Sequence, residues 1–464
     1  MRSGLIDRFG AIDDFEGGTT SRQNVNLAYS TGEGSNQQFS IQSYFSRYDF
    51  KLFSNFTFFL NDPVNGDMIE QTDNRNIIGL NSEYRFLKKL GSAQSATRVG
   101  GGFRADNIAV ALWNSPDRVR QRLNVNADIF ERNLFLWLEE EWVLGPRWRL
   151  QLGLRSDYFT FNVEDQLETA AEGDGAGLPH ASGYVRKGIL NPKLNLVFSP
   201  LTSTDIYVNA GSGFHSNDAR DVVIAQRILE LKRALSRKGM TEEQIAAELA
   251  ARNFDPEQSG VETLPRARGA ELGVRTHLSK NVVLSLAAWW LRLDEELVFV
   301  GDEGTTEISG RTRRIGLDIE GRVQLFPWLV ADADVNLSSG KFLDEPAGAD
   351  DIPLAPRLTS TGGLTTIHSS GFEASLRYRH IGDRPANELD TVTAEGYTVF
   401  NLALGYRLGR IKLLANIENL FDTEWNEAQF DTESRLLNET APVSEIHFTP
   451  GNPRNVQVGA SFQF

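Results

Sequence analysis

Six histidines, a run of three glutamates and one oxygen-rich loop are the residues from which chemistry could be built in this chain. His180, His215, His277, His368, His380 and His447 include no pair at H-E-x-x-H spacing, which would put two imidazoles on one helix face. His180, His215 and His447 fall in expected loops on one side, where a shared metal is conceivable, but solvated loop histidines are the simpler reading. Asn61-Asp62-Pro63-Val64-Asn65-Gly66-Asp67 offers oxygens of the kind Ca²⁺ takes, and equally the side chains that close a turn; the turn is preferred. In Glu139-Glu140-Glu141 only Glu139 and Glu141 share a strand face, which excludes a three-carboxylate site. An acid/base pair would need that face to hold substrate, so a lumen or loop-edge charge is expected instead. With no Cys, thiolate-bound zinc, thiol nucleophiles and redox pairs are excluded. No Gly-rich phosphate loop or Ser nucleophile elbow stands out, and neither an enzyme nor a cofactor or metal is expected.

The elements that would have to carry such residues set a different problem. The 464 residues hold 47 Lys+Arg against 62 Asp+Glu, a net charge of -15, which disfavours a nucleic-acid partner. No apolar run reaches the roughly 20 residues of a bilayer-crossing helix. The start, Met1 to Gly10, places Asp7 and Arg8 where a signal peptide would be apolar, so the expectation is a removed signal or a fragment.

Strict alternation is the dominant pattern. Trp148, Leu150, Leu152, Leu154 and Tyr158 oppose Arg149, Gln151, Gly153, Arg155 and Asp157. Ile315, Leu317, Ile319, Val323 and Leu325 oppose Asp318, Glu320, Arg322 and Gln324. The chain closes on Val456, Val458, Ala460, Phe462 and Phe464 against Asn455, Gln457, Gly459, Ser461 and Gln463. Such strands put one face against an apolar medium and the other against a polar one. A soluble sandwich also alternates. Three features favour a membrane barrel: tight turns such as Gly145-Pro146, Ser279-Lys280 and Leu408-Gly409 that alternate with long loops, aromatics beside those turns (Trp142, Trp148, Phe326, Trp328, Tyr406), and strands longer than soluble ones usually run.

The expected architecture is an all-β, antiparallel transmembrane β-barrel of roughly 17 or 18 strands. Its long loops lie near 61–73, 113–125, 164–183, 214–263, 341–353, 383–391 and 419–452, all on one side, taken as the exterior. The segments 37–60, 281–300 and 305–325 are read as strands, the first as one or two. Loop 214–263 departs from β character. Ile224, Ile228, Leu231 and Leu235 recur at helical spacing up to Lys238-Gly239, and Thr241 with Gln244 reads as a capping box for a second helix. A helical hairpin is expected on the mouth, either as a self-packed cap or as a lid that contacts ligand.

Several blocks resemble the C-terminal barrel of the TonB-dependent outer-membrane receptor family. Glu418-Asn419-Leu420-Phe421-Asp422 with Trp425 looks like its N-L-F-D signature, and Pro450-Gly451-Asn452-Pro453-Arg454 through Gly459 to Phe464 resembles its ending. Asn191-Pro192-Lys193, Gly213 to Arg220 and Pro265 to Gly273 look like mid-barrel blocks. Structural readings suffice for these motifs. Asn419 and Asp422 turn the chain out of the sheet, Leu420 and Phe421 pin that exit, and Gly269 and Gly273 suit a crowded or strongly bent part of the wall. Phe464 against lipid contributes about 1.5 to 3 kcal/mol.

The resemblance implies a barrel of about 22 strands with an N-terminal plug, of which this chain would lack the plug and the first four or five strands. Closure must then come from other residues or from a distorted smaller barrel. Counting directions back from a periplasmic C-terminus places 1–20 outside if 37–60 is one strand and in the periplasm if it is two, and two removes whole hairpins. The implied function is TonB-energised uptake of a scarce nutrient, such as a ferric siderophore or other chelate, across the bacterial outer membrane. Implied partners are outer-membrane lipid, the ligand, the TonB complex through the plug, and the barrel-assembly machinery. His215, Asn217, Asp218 and Arg220 are the candidate ligand contacts. The rivals are a passive porin, a plug-less fragment without transport activity, and a barrel hydrolase, the last disfavoured by its missing nucleophile.

Overall fold

The computed structural model describes residues 6–91, 93–167, 182–251, 254, 259–300, 305–308 and 310–463, with backbone alone at 90, 297–300 and 305–308. His180 and Phe464 therefore lie outside the described residues.

The chain begins with β1 (Gly17–Thr31), β2 (Gln37–Ser54), β3 (Ile69–Leu90), β4 (Ala93–Asn114), β5 (Arg122–Leu144), β6 (Trp148–Asp165), β7 (Gly183–Leu201) and β8 (Thr204–Phe214). Helices α1 (Ala219–Arg237) and α2 (Glu242–Ala250) follow, then β9 (Arg266–Ser279), β10 (Val282–Leu293), β11 (Leu297–Val300), β12 (Thr305–Ile308), β13 (Thr312–Phe326) and β14 (Leu329–Phe342). The remainder is β15 (Leu358–Ile367), β16 (Phe372–Ile381), β17 (Arg384–Pro385), β18 (Thr393–Ala394), β19 (Tyr397–Leu408), β20 (Ile411–Glu418), β21 (Asn426–Ser434), β22 (Val443–Pro450) and β23 (Asn455–Phe462).

Seventeen of these strands form one sheet, each pairing antiparallel with the next wall strand along the chain. This is the expected barrel wall. Its edges are β1 and β23, and among the described residues no ladder joins them. β11–β12, β17–β18 and β21–β22 are separate two-stranded hairpins within the long loops. Alternation explains the wall's two faces: Leu152, Leu154 and Tyr158 are exposed on the outside, whereas Asp157 on the other face is buried. Near the tight turns, Trp148 stacks on Phe198 at 4.4 Å and Phe326 on Trp328 at 5.3 Å. Gly273 sits in crowded wall as expected, since a Cβ there would lie 2.2 Å from the Tyr207 ring. Crowding does not explain Gly269, whose nearest neighbour would be an ordinary 3.6 Å away.

Three strand boundaries differ from the sequence expectation, for local polar reasons. β2 stops at Ser54 because Asn55 Oδ1 accepts the Phe58 N–H at 2.9 Å, while Asp67 takes the Thr57 hydroxyl and the N–H groups of Asn61 and Asp62. Phe58 then adopts φ 59 and buries itself among the loops. With Asp67 so occupied, and Asp62 accepting the N–H groups of Val64 and Asn65, 61–67 is a turn. Second, 281–300 and 305–325 are not continuous strands; the Glu296 N–H bonds to Gly310 O, and its carboxylate takes Thr312 Oγ1 and Arg314, which closes β10 off from the β11–β12 hairpin. Third, loop 419–452 holds the β21–β22 hairpin.

Because 37–54 is one strand, the N-terminal segment lies on the long-loop side, not with the tight turns as the two-strand count had it. Arg8 donates to Trp425 O and Asn426 Oδ1, both at 2.6 Å, and Arg118 Nε donates to Phe15 O at 2.6 Å. The N-L-F-D block ties both ends of the last loop together. Asn419 (φ 48) and Asp422 (φ 57) turn the chain; Asn419 Nδ2 donates to Thr423 O and Asn452 O, and Asp422 accepts the Arg454 N–H at 2.8 Å. Leu420 N–H bonds Phe400 O, and Phe421 meets the Phe400 ring edge-on at 5.2 Å.

Candidate ligand-binding site

The block after β8 folds by satisfying its own polar groups. His215 N–H donates to Pro265 O at 3.3 Å, and Asn217 Nδ2 donates to Glu262 O at 2.6 Å and Glu295 Oε1 at 3.3 Å. The Glu262 N–H completes the knot, reaching Glu295 Oε2 at 2.7 Å. These bonds fasten the two ends of the helical loop to each other and to the end of β10. Burial pushes the Glu295 carboxyl up to about 7. Burial lowers His215, disfavouring its charged form. Asp218 is the N-cap of α1, accepting the Arg220 N–H at 2.8 Å. Burial works to raise the Asp218 carboxyl, but the Arg220 charge and hydrogen bonds hold it below the usual range.

Helix α1 does not stand over the mouth as a self-packed cap. Its Val222, Val223, Ile224 and Ile228 share one buried cluster with Ala127 and Ile129 of β5, Phe159, Phe161 and Val163 of β6, and Val185 and Ile189 of β7. Phe159, Phe161 and Val163 alternate with Tyr158, Thr160 and Asn162, so they lie on the same face as Asp157: the hairpin is packed against the inner wall. Helix α2, opened by the Thr241–Gln244 capping box, adds Ile245 and Leu249 to that cluster.

Between the start of α1 and the wall strands β2 to β5 lies a cavity of about 610 Å³. Asn217, Asp218 and Arg220 line it; His215 does not. Tyr48, Phe50, Asp73, Arg75 and Glu131, none of them singled out in the sequence, face it too. Tyr48 stacks on Phe50 at 6.1 Å, and the Arg22 guanidinium lies over the Tyr48 ring at 5.0 Å. Charge on this wall is balanced within strands. Arg75 pairs with Asp73, Arg104 with Asp106 at 2.6 Å, and Arg155 with Asp157 at 2.8 Å, each two residues apart on one face. A second cavity, about 630 Å³, is lined by Arg275, Glu320, Arg322, Asp332, Asp334 and Trp328 at the tight-turn end, away from every long loop.

Two further sequence candidates have structural partners. Glu139 receives Arg98 Nη1 at 2.5 Å and Lys193 Nζ at 2.7 Å. His447 Nε2 meets Ser434 Oγ at 3.1 Å beneath Phe58. Among the described residues no group of three His, Asp or Glu side chains could hold a metal ion.

Residues 3–420 match the family described as TonB dependent receptor-like, β-barrel. The chain belongs to that family. This TonB-dependent receptor barrel is similar to solved structures across almost all of its length. Against the ferric citrate transporter FecA in its unliganded form the TM-score is 0.71 at 15% identity, covering 99% of this chain and 64% of that one. Against the closed form of the ferric-catecholate import receptor Fiu from E. coli K12 it is 0.72 at 16%, covering 97% and 65%. Against the ferric yersiniabactin uptake receptor FyuA from Yersinia pestis it is 0.67 at 12%, covering 98% and 63%. At these identities the likeness concerns the fold, and the chain spans less than two thirds of each of these proteins.

Proposed function

We propose that this chain is the barrel of an outer-membrane receptor that captures a scarce nutrient, such as a ferric siderophore or other chelate, and imports it with TonB-transmitted energy. The observation that carries the reading is the cavity at the loop end of a TonB-dependent receptor barrel: a helical hairpin anchored inside the mouth leaves a half-enclosed, charged and aromatic chamber about the size of a small-molecule site. Energisation would act through a plug filling the lumen, with the wall set in outer-membrane lipid and delivered there by the barrel-assembly machinery. Asp218 and Arg220 are the proposed contacts from the loop, Asn217 and His215 the residues that hold that loop in place.

The test is ferric-chelate binding and uptake by the receptor carrying this barrel. Asp218→Asn keeps a good helix cap and removes the charge, so weaker binding without loss of fold is expected for it and for Arg220→Gln. Unchanged affinity in both would remove these residues from the site. Uptake that persists at full rate in cells lacking TonB would overturn the energised mechanism.

A further inference from the structure

Within the mouth cavity one charge is unanswered. Three carboxylates line the chamber, those of Asp73, Glu131 and Asp218, against two guanidinium groups, those of Arg75 and Arg220. Each arginine is already committed: Arg75 Nε donates to Asp73 at 2.8 Å within β3, and Arg220 Nε donates to Asp218 at 3.1 Å within the α1 cap. Glu131 is left over. It forms no ion pair and accepts no hydrogen bond from any described residue. In the sheet its direct neighbours are Asp106 on β4, which Arg104 holds through two bonds at 2.7 and 2.6 Å, and Phe161 on β6. A like charge on one side and an aromatic ring on the other give it nothing to pair with in the wall, and opposed carboxylates on neighbouring strands repel. On its apolar side the chamber presents Ile108, Val110 and Ile129 beside the Tyr48–Phe50 stack.

We propose that Glu131 is the acceptor for a cationic, hydrogen-bond-donating group on the ligand, so that the mouth selects chelates carrying an ammonium or guanidinium over neutral or anionic ones. The inference rests on the reading of this mouth as a ligand site and names the class of ligand. An unpaired carboxylate facing a half-enclosed chamber gains most from a charged donor, because such bonds are the strong ones and the site partly shields them from water. The apolar and aromatic walls fit the chelate's body, while Asp73–Arg75 and Asp218–Arg220, neutral as pairs, add no net pull on an anion.

The experiment uses the full chain in lipid nanodiscs and two probes: the ferric complex of a linear trihydroxamate with a free terminal ammonium, and the same complex acetylated at that nitrogen. Quenching of tryptophan fluorescence reads binding. The ammonium form is expected to bind roughly tenfold or more tightly. Glu131→Gln should bring that ratio close to one, and Glu131→Asp, which keeps the charge, should retain the preference. Equal affinities in the unaltered chain, or a preference that survives in Glu131→Gln, would overturn the proposal. So would binding of neither probe alongside binding of an anionic ferric catecholate, a result that leaves the receptor reading standing; failure to bind any ferric chelate would remove both.

Discussion

Replacing Phe161 by Ala tests whether the inner wall holds the helical hairpin. Phe161 is fully buried at 0% exposure, within the cluster that joins β5, β6 and β7 to α1 and α2. Phe→Ala in a packed core costs about 3 to 5 kcal/mol. Most of that loss should fall on docking and little on the barrel, whose strands are held by ladders on both sides. Helices in proteins draw most of their stability from packing an apolar face, so α1 depends on this one. Even 3 kcal/mol corresponds to a more than ~100-fold rise in the undocked population. Arg233, Arg237 and Lys238 are exposed on the second half of α1 and its cap, where helical backbone resists trypsin until the hairpin opens. Cleavage in this loop should therefore accelerate about 100-fold if opening precedes cutting rapidly, while the barrel keeps the compact mobility of a folded wall on unheated gels. Thr160→Ala, one residue away but on the outer face, is the control and should leave cleavage unchanged. Equal cleavage in Phe161→Ala and the unaltered chain would refute inner-wall docking.

The knot at the hairpin's base should respond to pH. The Glu295 carboxyl is raised in the folded chain to about 7, so its neutral form favours the docked state; that contribution, at most ~3 kcal/mol, is full below about pH 4.5 and is lost as pH rises through 7. Hydrogen exchange in 215–265 should accordingly be faster at pH 8 than at pH 5.5 after correction for intrinsic rates, and Glu295→Gln should abolish the difference. Asn419→Ala should lower stability by about 1 to 3 kcal/mol, since it strands the partners of a residue only 2% exposed and puts Ala at positive φ; thermal unfolding followed by circular dichroism reads it. Deleting 219–250 should raise single-channel conductance, because the hairpin occupies part of the mouth. A stable, large conductance already present in the unaltered chain would favour the passive porin instead.

Alternation made the wall legible in the sequence, and it did so because each strand meets two media of opposite polarity. The hairpin was legible for the same kind of reason, through its spacing at Ile224, Ile228, Leu231 and Leu235 and its capping box. What it covers was not. The signal was present at Tyr158-Phe159-Thr160-Phe161, where alternation gives way to aromatics on both faces, and a two-faced apolar strand end needs a second cover. The end of β2 was misread because Phe56, Phe58 and Phe59 look like strand residues, whereas Asn55 and Asp67 bend the backbone through bonds that span up to ten residues or so. The cavity residues of β2, β3 and β5 were beyond reach for another reason. Tyr48, Arg75 and Glu131 are far apart in the chain, and only the ladder register brings them level with Asp218.

The pairs Asp73–Arg75, Arg104–Asp106 and Arg155–Asp157 bear on how such a wall can be assembled. A sheet that grows by edge addition presents each incoming strand before its next neighbour exists. If the counter-ion belonged to that neighbour, every intermediate would hold an unmatched charge in a poorly solvated place. Here β3, β4 and β6 bring acid and base two residues apart on the same face, so each of these pairs arrives already neutralised. For these three pairs, growth along the wall thus passes through no stage at which the ion waits for the strand that would quench it, unlike Glu139 of β5, whose partners Arg98 and Lys193 come from β4 and β7.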